Sequence, residues 1–141
     1  MLIFSWNVNG IRAVEKHGFE ELVKAESADM VCIQETKARP DQLSEALTQM
    51  KDKKGKPYFA YWSSAKKPGY AGTAIYTKVE PLSVTTMGVP QFDDEGRVLQ
   101  AEFKDFTLIC AYFPNSQEEG RRLDYKLAFC AAMMKLCKKH V

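Results

Sequence analysis

Three short polar clusters in this 141-residue chain combine residue types that can hold a hard cation against an anionic ester. Asn7 and Asn9 follow one apolar run, Gln34-Glu35-Thr36-Lys37 follows a second, and Tyr112-Phe113-Pro114-Asn115 follows a third. In α/β sheets functional groups collect at the carboxyl ends of strands, where loops emerge and backbone groups are free. If these three ends converge, a carboxylate, several amides and a phenol meet in one place. Magnesium takes oxygen ligands and commonly only one or two carboxylates, leaving water and phosphate to complete its shell. The chemistry suggested is hydrolysis of a phosphodiester or phosphomonoester. Each residue also has a plainer explanation when taken alone: a solvated or salt-bridged glutamate, an asparagine in a turn before Gly10, a tyrosine at the end of a core strand.

The elements that must position these clusters follow from hydrophobic periodicity. Leu2 to Val8 reads as a strand, followed by a glycine turn and a helical stretch with Phe19, Leu22 and Val23 on one face, interrupted at Gly18. Met30 to Gln34 reads as a short buried strand, and Gln42 to Met50 as a helix with Leu43, Ala46, Leu47 and Met50 at helical spacing. Beyond it Tyr58 to Ser63, Thr73 to Thr77, Leu82 to Met87, Val98 to Phe103 and Phe106 to Tyr112 are β-branched or aromatic runs separated by turns, the last two joined by a tight hairpin at Lys104-Asp105. Ser116 and Glu119 have capping-box spacing, and Leu123, Leu127, Cys130, Ala131, Met134 and Cys137 form an apolar stripe on a final helix. Helices alternating with strands, then antiparallel strands, predict an α/β fold with a mixed sheet and packed helices.

Composition bounds the class. With 45% hydrophobic and 27% charged residues the chain is an ordinary globular one, and its net charge of +2 does not announce a nucleic-acid binder, so a polyanion would need basic residues gathered on one face. Met1 to Trp6 has no basic lead and few consecutive apolar residues, which argues against a secretory signal or membrane span and for a cytoplasmic location. Cys32, Cys110, Cys130 and Cys137 lack metal-ligand spacing and read as reduced core or near-core residues. Trp6 and Trp62 read as core side chains beside the sheet, and the methionines near the end as packing. The run through Lys138, Lys139 and His140 carries no glycine stop and no closing strand, as if the domain continued.

Five segments carry a resemblance. Trp6-Asn7-Val8-Asn9-Gly10-Ile11-Arg12-Ala13, Cys32-Ile33-Gln34-Glu35-Thr36-Lys37, Gly69-Tyr70-Ala71-Gly72, Glu95-Gly96-Arg97-Val98, and Tyr112-Phe113-Pro114-Asn115 with Arg122-Leu123-Asp124-Tyr125-Lys126 are similar, in order, to the signatures of the exonuclease III and apurinic/apyrimidinic endonuclease family. The resemblance spans nearly the whole chain but only the amino-terminal half of the family's four-layer α/β sandwich. It implies a Mg2+-dependent DNA-repair nuclease, with Mn2+ as a possible substitute, acting on duplex DNA at abasic sites and 3′ ends and monomeric when complete. Glu35 matches the metal-binding glutamate and Asn7 the asparagine beside metal and phosphate. The resemblance gives Asn9 a water-mediated contact with the metal, at a position where some relatives depart from asparagine to aspartate. Tyr112 matches the tyrosine that approaches the phosphate, and Asn115 an asparagine that donates to it. Arg12, Lys37, Tyr70 and Arg97 match positions near the DNA backbone, and the loop from Lys66 to Tyr70 joins cations to an aromatic ring.

The family draws its catalytic base and histidine from a glycine-aspartate-x-asparagine motif and a serine-aspartate-histidine motif in its second half, and neither occurs here. Asp93, Asp94 and Asp124 cannot be assigned as substitutes. The resemblance therefore implies a fragment that is inactive alone. Two other classes remain: a related phosphatase or phosphodiesterase acting on a lipid headgroup or nucleotide, and a non-catalytic chain that binds DNA.

Overall fold

The computed structural model describes residues 1–141. Its elements run β1 (Ile3–Asn7), α1 (Ile11–Glu15), α2 (Phe19–Glu26), β2 (Met30–Gln34), α3 (Glu45–Thr48), β3 (Phe59–Ser63), β4 (Thr73–Thr77), β5 (Ser83–Thr85), α4 (Pro90–Asp93), β6 (Val98–Glu102), β7 (Thr107–Ala111) and α5 (Leu123–Cys137). Four strands form one mixed sheet in the order β1-β2-β4-β3, parallel between β1 and β2 and antiparallel elsewhere; three form an antiparallel sheet in the order β5-β6-β7.

Strand alternation sorts the apolar residues into three cores and so stacks four layers. On β2 and β4, Val31, Ile33, Ala74 and Tyr76 face a core with Phe19, Val23 and Leu47 of the helices, whereas Met30, Cys32 and Ile75 face the second sheet. From that sheet Leu99, Ala101 and Cys110 meet them, while Val98, on the other face of β6, packs against Phe92, Phe129, Met133 and Leu136. Helices, sheet, sheet and helix therefore follow one another, because successive side chains of a strand point to opposite faces. The expected α/β mixed-sheet architecture is present. No helix is long and apolar enough to cross a membrane.

Most boundaries fall where periodicity places them. The hairpin at Lys104-Asp105 pairs Glu102 with Thr107, and Gly18 breaks the first helical stretch in a left-handed conformation (φ 88°). Three expectations fail. The helix from Gln42 to Met50 shrinks to Glu45–Thr48, because Leu43 and Ser44 are extended; the Ser44 hydroxyl instead caps the turn by accepting from the Leu47 N–H at 3.3 Å. The Ser116/Glu119 capping box does not form: α5 begins only after Arg122, and Glu119 is left-handed (φ 57°). On α5 the buried face is Phe129, Met133 and Leu136, while Leu127 is 58% and Met134 63% exposed and Cys137 lies at the surface. Both stripes have helical spacing, so only the position of the second sheet decides between them.

Buried tyrosines make the fold sensitive to alkali. Tyr76 is enclosed, with its hydroxyl donating to the Leu47 carbonyl at 2.8 Å; burial first, and then the Glu15 carboxylate, push its ionisation far above the ordinary phenol range. A raised native pKa gives stability that is complete below the ordinary value of 10.0 and is lost as pH climbs from there toward the native one. The Tyr76 phenolate should therefore appear in an absorbance titration only together with loss of the near-ultraviolet circular dichroism. Reversible ionisation of all the tyrosines with that signal intact would contradict this assignment.

Candidate active site

Five loops are laced together at one end of the strands by backbone hydrogen bonds. The loop after β1 reaches the loop after β2 through Gly10 N–H to Glu35 O (2.8 Å) and Ile11 N–H to Thr36 O (3.0 Å). The loop before β4 accepts from the same segment: Glu35 N–H at 2.8 Å and Thr36 N–H at 3.2 Å both donate to Gly72 O, and Lys37 N–H donates to Ala71 O at 2.8 Å. Gly72 N–H in turn donates to Glu95 O, and Tyr112 N–H donates to Arg97 O at 2.8 Å. This lacing holds backbone that few residues adopt. Asn9, Glu35, Lys37, Ala71, Gln117 and Glu119 all have positive φ, leaving Ser27 as the one non-glycine residue of this kind outside these loops. Such conformations cost about 1–3 kcal/mol each and persist only where surroundings over-determine them.

The clasp needs glycine at two points. At Gly72 (φ 89°) a Cβ would overlap the buried Thr36 hydroxyl, and at Gly96 (φ 61°) it would overlap the Ser63 carbonyl. Thr36 Oγ1 has no hydrogen-bond partner, closed off by this approach.

Glu35, Lys37, Tyr70, Arg97, Tyr112 and Asn115 line a single cavity of about 390 Å³. Asn9 and Arg12 join it through Lys37: the ammonium donates to Asn9 Oδ1 at 2.6 Å and pairs with Glu35 Oε1 at 3.4 Å, and Arg12 donates to the Lys37 carbonyl. Asn7 ends β1 opposite Gln34 and uses Oδ1 to accept the Asn9 N–H at 3.1 Å. Asn115 likewise accepts the Gln117 N–H at 3.2 Å through Oδ1, which leaves its amide N–H groups free to donate. Burial first, then the Glu35 carboxylate, raise the Tyr112 pKa above the ordinary range, with Arg97 opposing. The phenol therefore keeps its proton at neutral pH and is a donor.

The donor set fits a hard cation. Glu35 and Asn9 already hold a positive group, the Lys37 ammonium, between their oxygens, and oxygens from one carboxylate and neighbouring amides are what magnesium accepts. Of the acidic residues considered as a base, Asp93 holds the Thr86 hydroxyl and the Met87 and Gly88 N–H groups, and Asp94 pairs with Lys66 at 2.8 Å. Both have structural employment.

Arg97 occupies a different place from the surface contact its motif suggests. It is 2% exposed, and all three guanidinium nitrogens have protein partners: Glu95 Oε2 at 2.6 Å, the Tyr112 carbonyl at 3.2 Å and the Tyr70 hydroxyl at 3.3 Å. Its charge also lies 4.9 Å from the Tyr112 ring centre. Burial pushes the Glu95 carboxyl up, but hydrogen bonds from Arg122, Tyr125 and Arg97 outweigh it and leave the pKa below the ordinary range. Glu95, Arg122 and Tyr125 lie inside segments that the motifs mark, yet no spacing rule assigns them to the site, because their partners are 2 to 30 positions away in sequence.

The endonuclease/exonuclease/phosphatase family profile matches residues 4–137. An exodeoxyribonuclease of Bacillus subtilis (strain 168) is 40% identical over 136 residues, covering 95% of this chain and 51% of that protein. The DNA repair nuclease APEX1 of Danio rerio is 44% identical over 129 residues, covering 89% and 40%. Among solved structures, an AP endonuclease from Archaeoglobus fulgidus superposes with a TM-score of 0.79 at 28% identity over 100% of this chain and 52% of that one. A 3′ phosphatase from Neisseria bound to a product DNA hairpin superposes with a TM-score of 0.78 at 26% identity, covering 99% and 52%. The chain thus spans about half the length of the Bacillus subtilis protein and of both solved structures, and less of the Danio rerio protein. A profile match over residues 4–137, nearly the whole chain, makes this chain a member of the endonuclease/exonuclease/phosphatase family.

Proposed function

We propose that the chain is the amino-terminal portion of a single nuclease domain that hydrolyses phosphodiesters in duplex DNA at abasic sites and 3′ ends, using Mg2+. The observation that carries it is the shared cavity of Glu35, Tyr112 and Asn115. In this reading Glu35 and Asn7 hold the ion, and the ion when bound supplies charge stabilisation at the phosphoryl oxygens. Tyr112 and Asn115 donate hydrogen bonds to those oxygens. Arg12, Lys37 and Tyr70 lie against the duplex backbone, with Asn9 beside the ion. The names of relatives supply the substrate: exodeoxyribonuclease and 3′ phosphatase for DNA ends, and apurinic or apyrimidinic endonuclease for abasic sites.

Two features support the reading that the domain continues. β1 and β7 end their sheets with no strand beyond them, and an apolar groove of about 410 Å³ lies open between them, lined by Ile3, Cys32, Leu108, Phe113 and Met133 among others. Open edges and exposed inter-sheet core are what native proteins pair or cover. The base and the histidine then come from the portion that closes this seam, and the completed protein works as a cytoplasmic monomer.

A duplex carrying one abasic site, incubated with the complete protein, should be nicked with Mg2+ and left intact with chelator. This chain alone should not nick it. Failure of the complete protein to bind or nick that duplex would overturn the DNA assignment, and a lipid-headgroup or nucleotide phosphoester would become the substrate to try.

A further inference from the structure

We propose that Glu95 is a positioning residue for Tyr112, acting through Arg97. The inference rests on the reading of Tyr112 as a donor to phosphate. Arg97 and Arg122 both donate to one hydroxyl, that of Tyr70, at 3.3 and 2.8 Å, and both lie against the Tyr125 ring, at 5.6 and 3.9 Å from its centre. Two guanidinium groups sharing these partners repel each other, and Glu95 is the one carboxylate bonded to either. Its Oε2 takes Arg97 Nε at 2.6 Å and the Tyr125 hydroxyl at 2.7 Å, while Oε1 takes Arg122 Nη2 at 2.8 Å.

The geometry of Tyr112 follows from where Glu95 leaves Arg97. A planar guanidinium with Nε fixed has its Nη groups fixed too, because the fork is rigid. Nη1 then meets the Tyr112 carbonyl at 3.2 Å, and the charge sits 4.9 Å from the Tyr112 ring centre. The Tyr112 N–H donates to the Arg97 carbonyl, so the residue is gripped at its amide, its carbonyl and its ring by one neighbour. Glu95 itself touches neither the cavity's metal-side oxygens nor the phenol. Its task is to keep two cations in register so that one of them aims the phenol.

The test uses the complete protein and the abasic-site duplex, with Glu95→Gln and Tyr112→Phe singly and together. Glu95→Gln keeps the shape and removes the charge. Its kcat should fall at least about tenfold, the scale on which small misplacements of reacting groups act, while KM and the Mg2+ concentration for half-maximal rate stay within about twofold. In the Tyr112→Phe background, where no hydroxyl remains to aim, Glu95→Gln should produce no further loss of kcat. Losses that multiply instead would overturn the inference, since they place the action of Glu95 elsewhere, and so would wild-type kcat in Glu95→Gln. Wild-type kcat in Tyr112→Phe would remove the role of Tyr112 itself and the inference with it. If Glu95→Gln loses the near-ultraviolet circular dichroism of the folded protein, Arg97→Lys replaces it: the charge stays beside Glu95, the rigid fork is gone, and the same kcat loss and masking by Tyr112→Phe are expected.

Discussion

Glu35→Ala in the complete protein should lower Mg2+-dependent cleavage of an abasic-site duplex by at least about 100-fold, because partners one step removed from a metal already cost about 10- to 100-fold. Binding of the same duplex in chelator should change little. The difference follows from what the carboxylate touches. Glu35 pairs with Lys37 at 3.4 Å and lies in the cavity with Tyr112, but no backbone-facing cation depends on it for position: Lys37 keeps its 2.6 Å bond to Asn9, and Arg12 keeps its contact with the Lys37 carbonyl. The Glu35 peptide, clasped by Gly72 and Gly10, survives the substitution, so the loop keeps its course. Nicking rates and gel-shift affinities measured on one preparation decide the matter. Equal losses in both would mean that Glu35 shapes the DNA surface and does not hold the ion.

The second large effect is on stability. Gly96→Ala should destabilise the protein by about 2–5 kcal/mol, from about 1–2 kcal/mol for a left-handed alanine and about 1–3 kcal/mol for overpacking. The overpacking has no easy release, because the added methyl would meet main chain: the Ser63 carbonyl and, at 2.7 Å, the Ser64 carbonyl carbon. Gly69 supplies the control. It is also left-handed (φ 66°) but has nothing within 4 Å of where a Cβ would stand, so Gly69→Ala should show the backbone cost alone. Denaturant midpoints at unchanged slope measure both. If the two substitutions cost the same, the close approach at Gly96 yields more readily than its geometry implies.

These glycines mark where sequence reasoning stops. Alternation and turn chemistry were enough to locate β2, β4 and the β6–β7 hairpin, since each buries two faces or closes on a short loop. That Glu35 and Tyr112 share one cavity was only a condition at the level of sequence, because β2 and β7 belong to different sheets and their packing decides whether the two ends meet. The buried face of α5 could not be located from spacing either. Leu123, Leu127 and Met134 compete with Phe129, Met133 and Leu136 at equal spacing, and the choice is made by a sheet whose position is a tertiary fact. Arg97 illustrates the same limit in the site: an arginine in a motif reads as a surface cation, whereas Glu95 on one side and Tyr112 on the other draw it inside. The network of Glu95, Arg122 and Tyr125 joins residues up to 30 positions apart, beyond any local pattern.

The placement of β1 and β7 bears on when such a protein becomes dangerous. Asn7 closes one of these edge strands and Tyr112 directly follows the other, so two of the proposed site residues stand at the ends of the strands that flank the open seam. On the proposed function, a ribosome releases Glu35 and Tyr112 before the portion that supplies a base. An unfinished or prematurely terminated product could then grip an ion and graze a duplex without cutting it, and strand pairing along the seam would act as the safety catch of the nuclease.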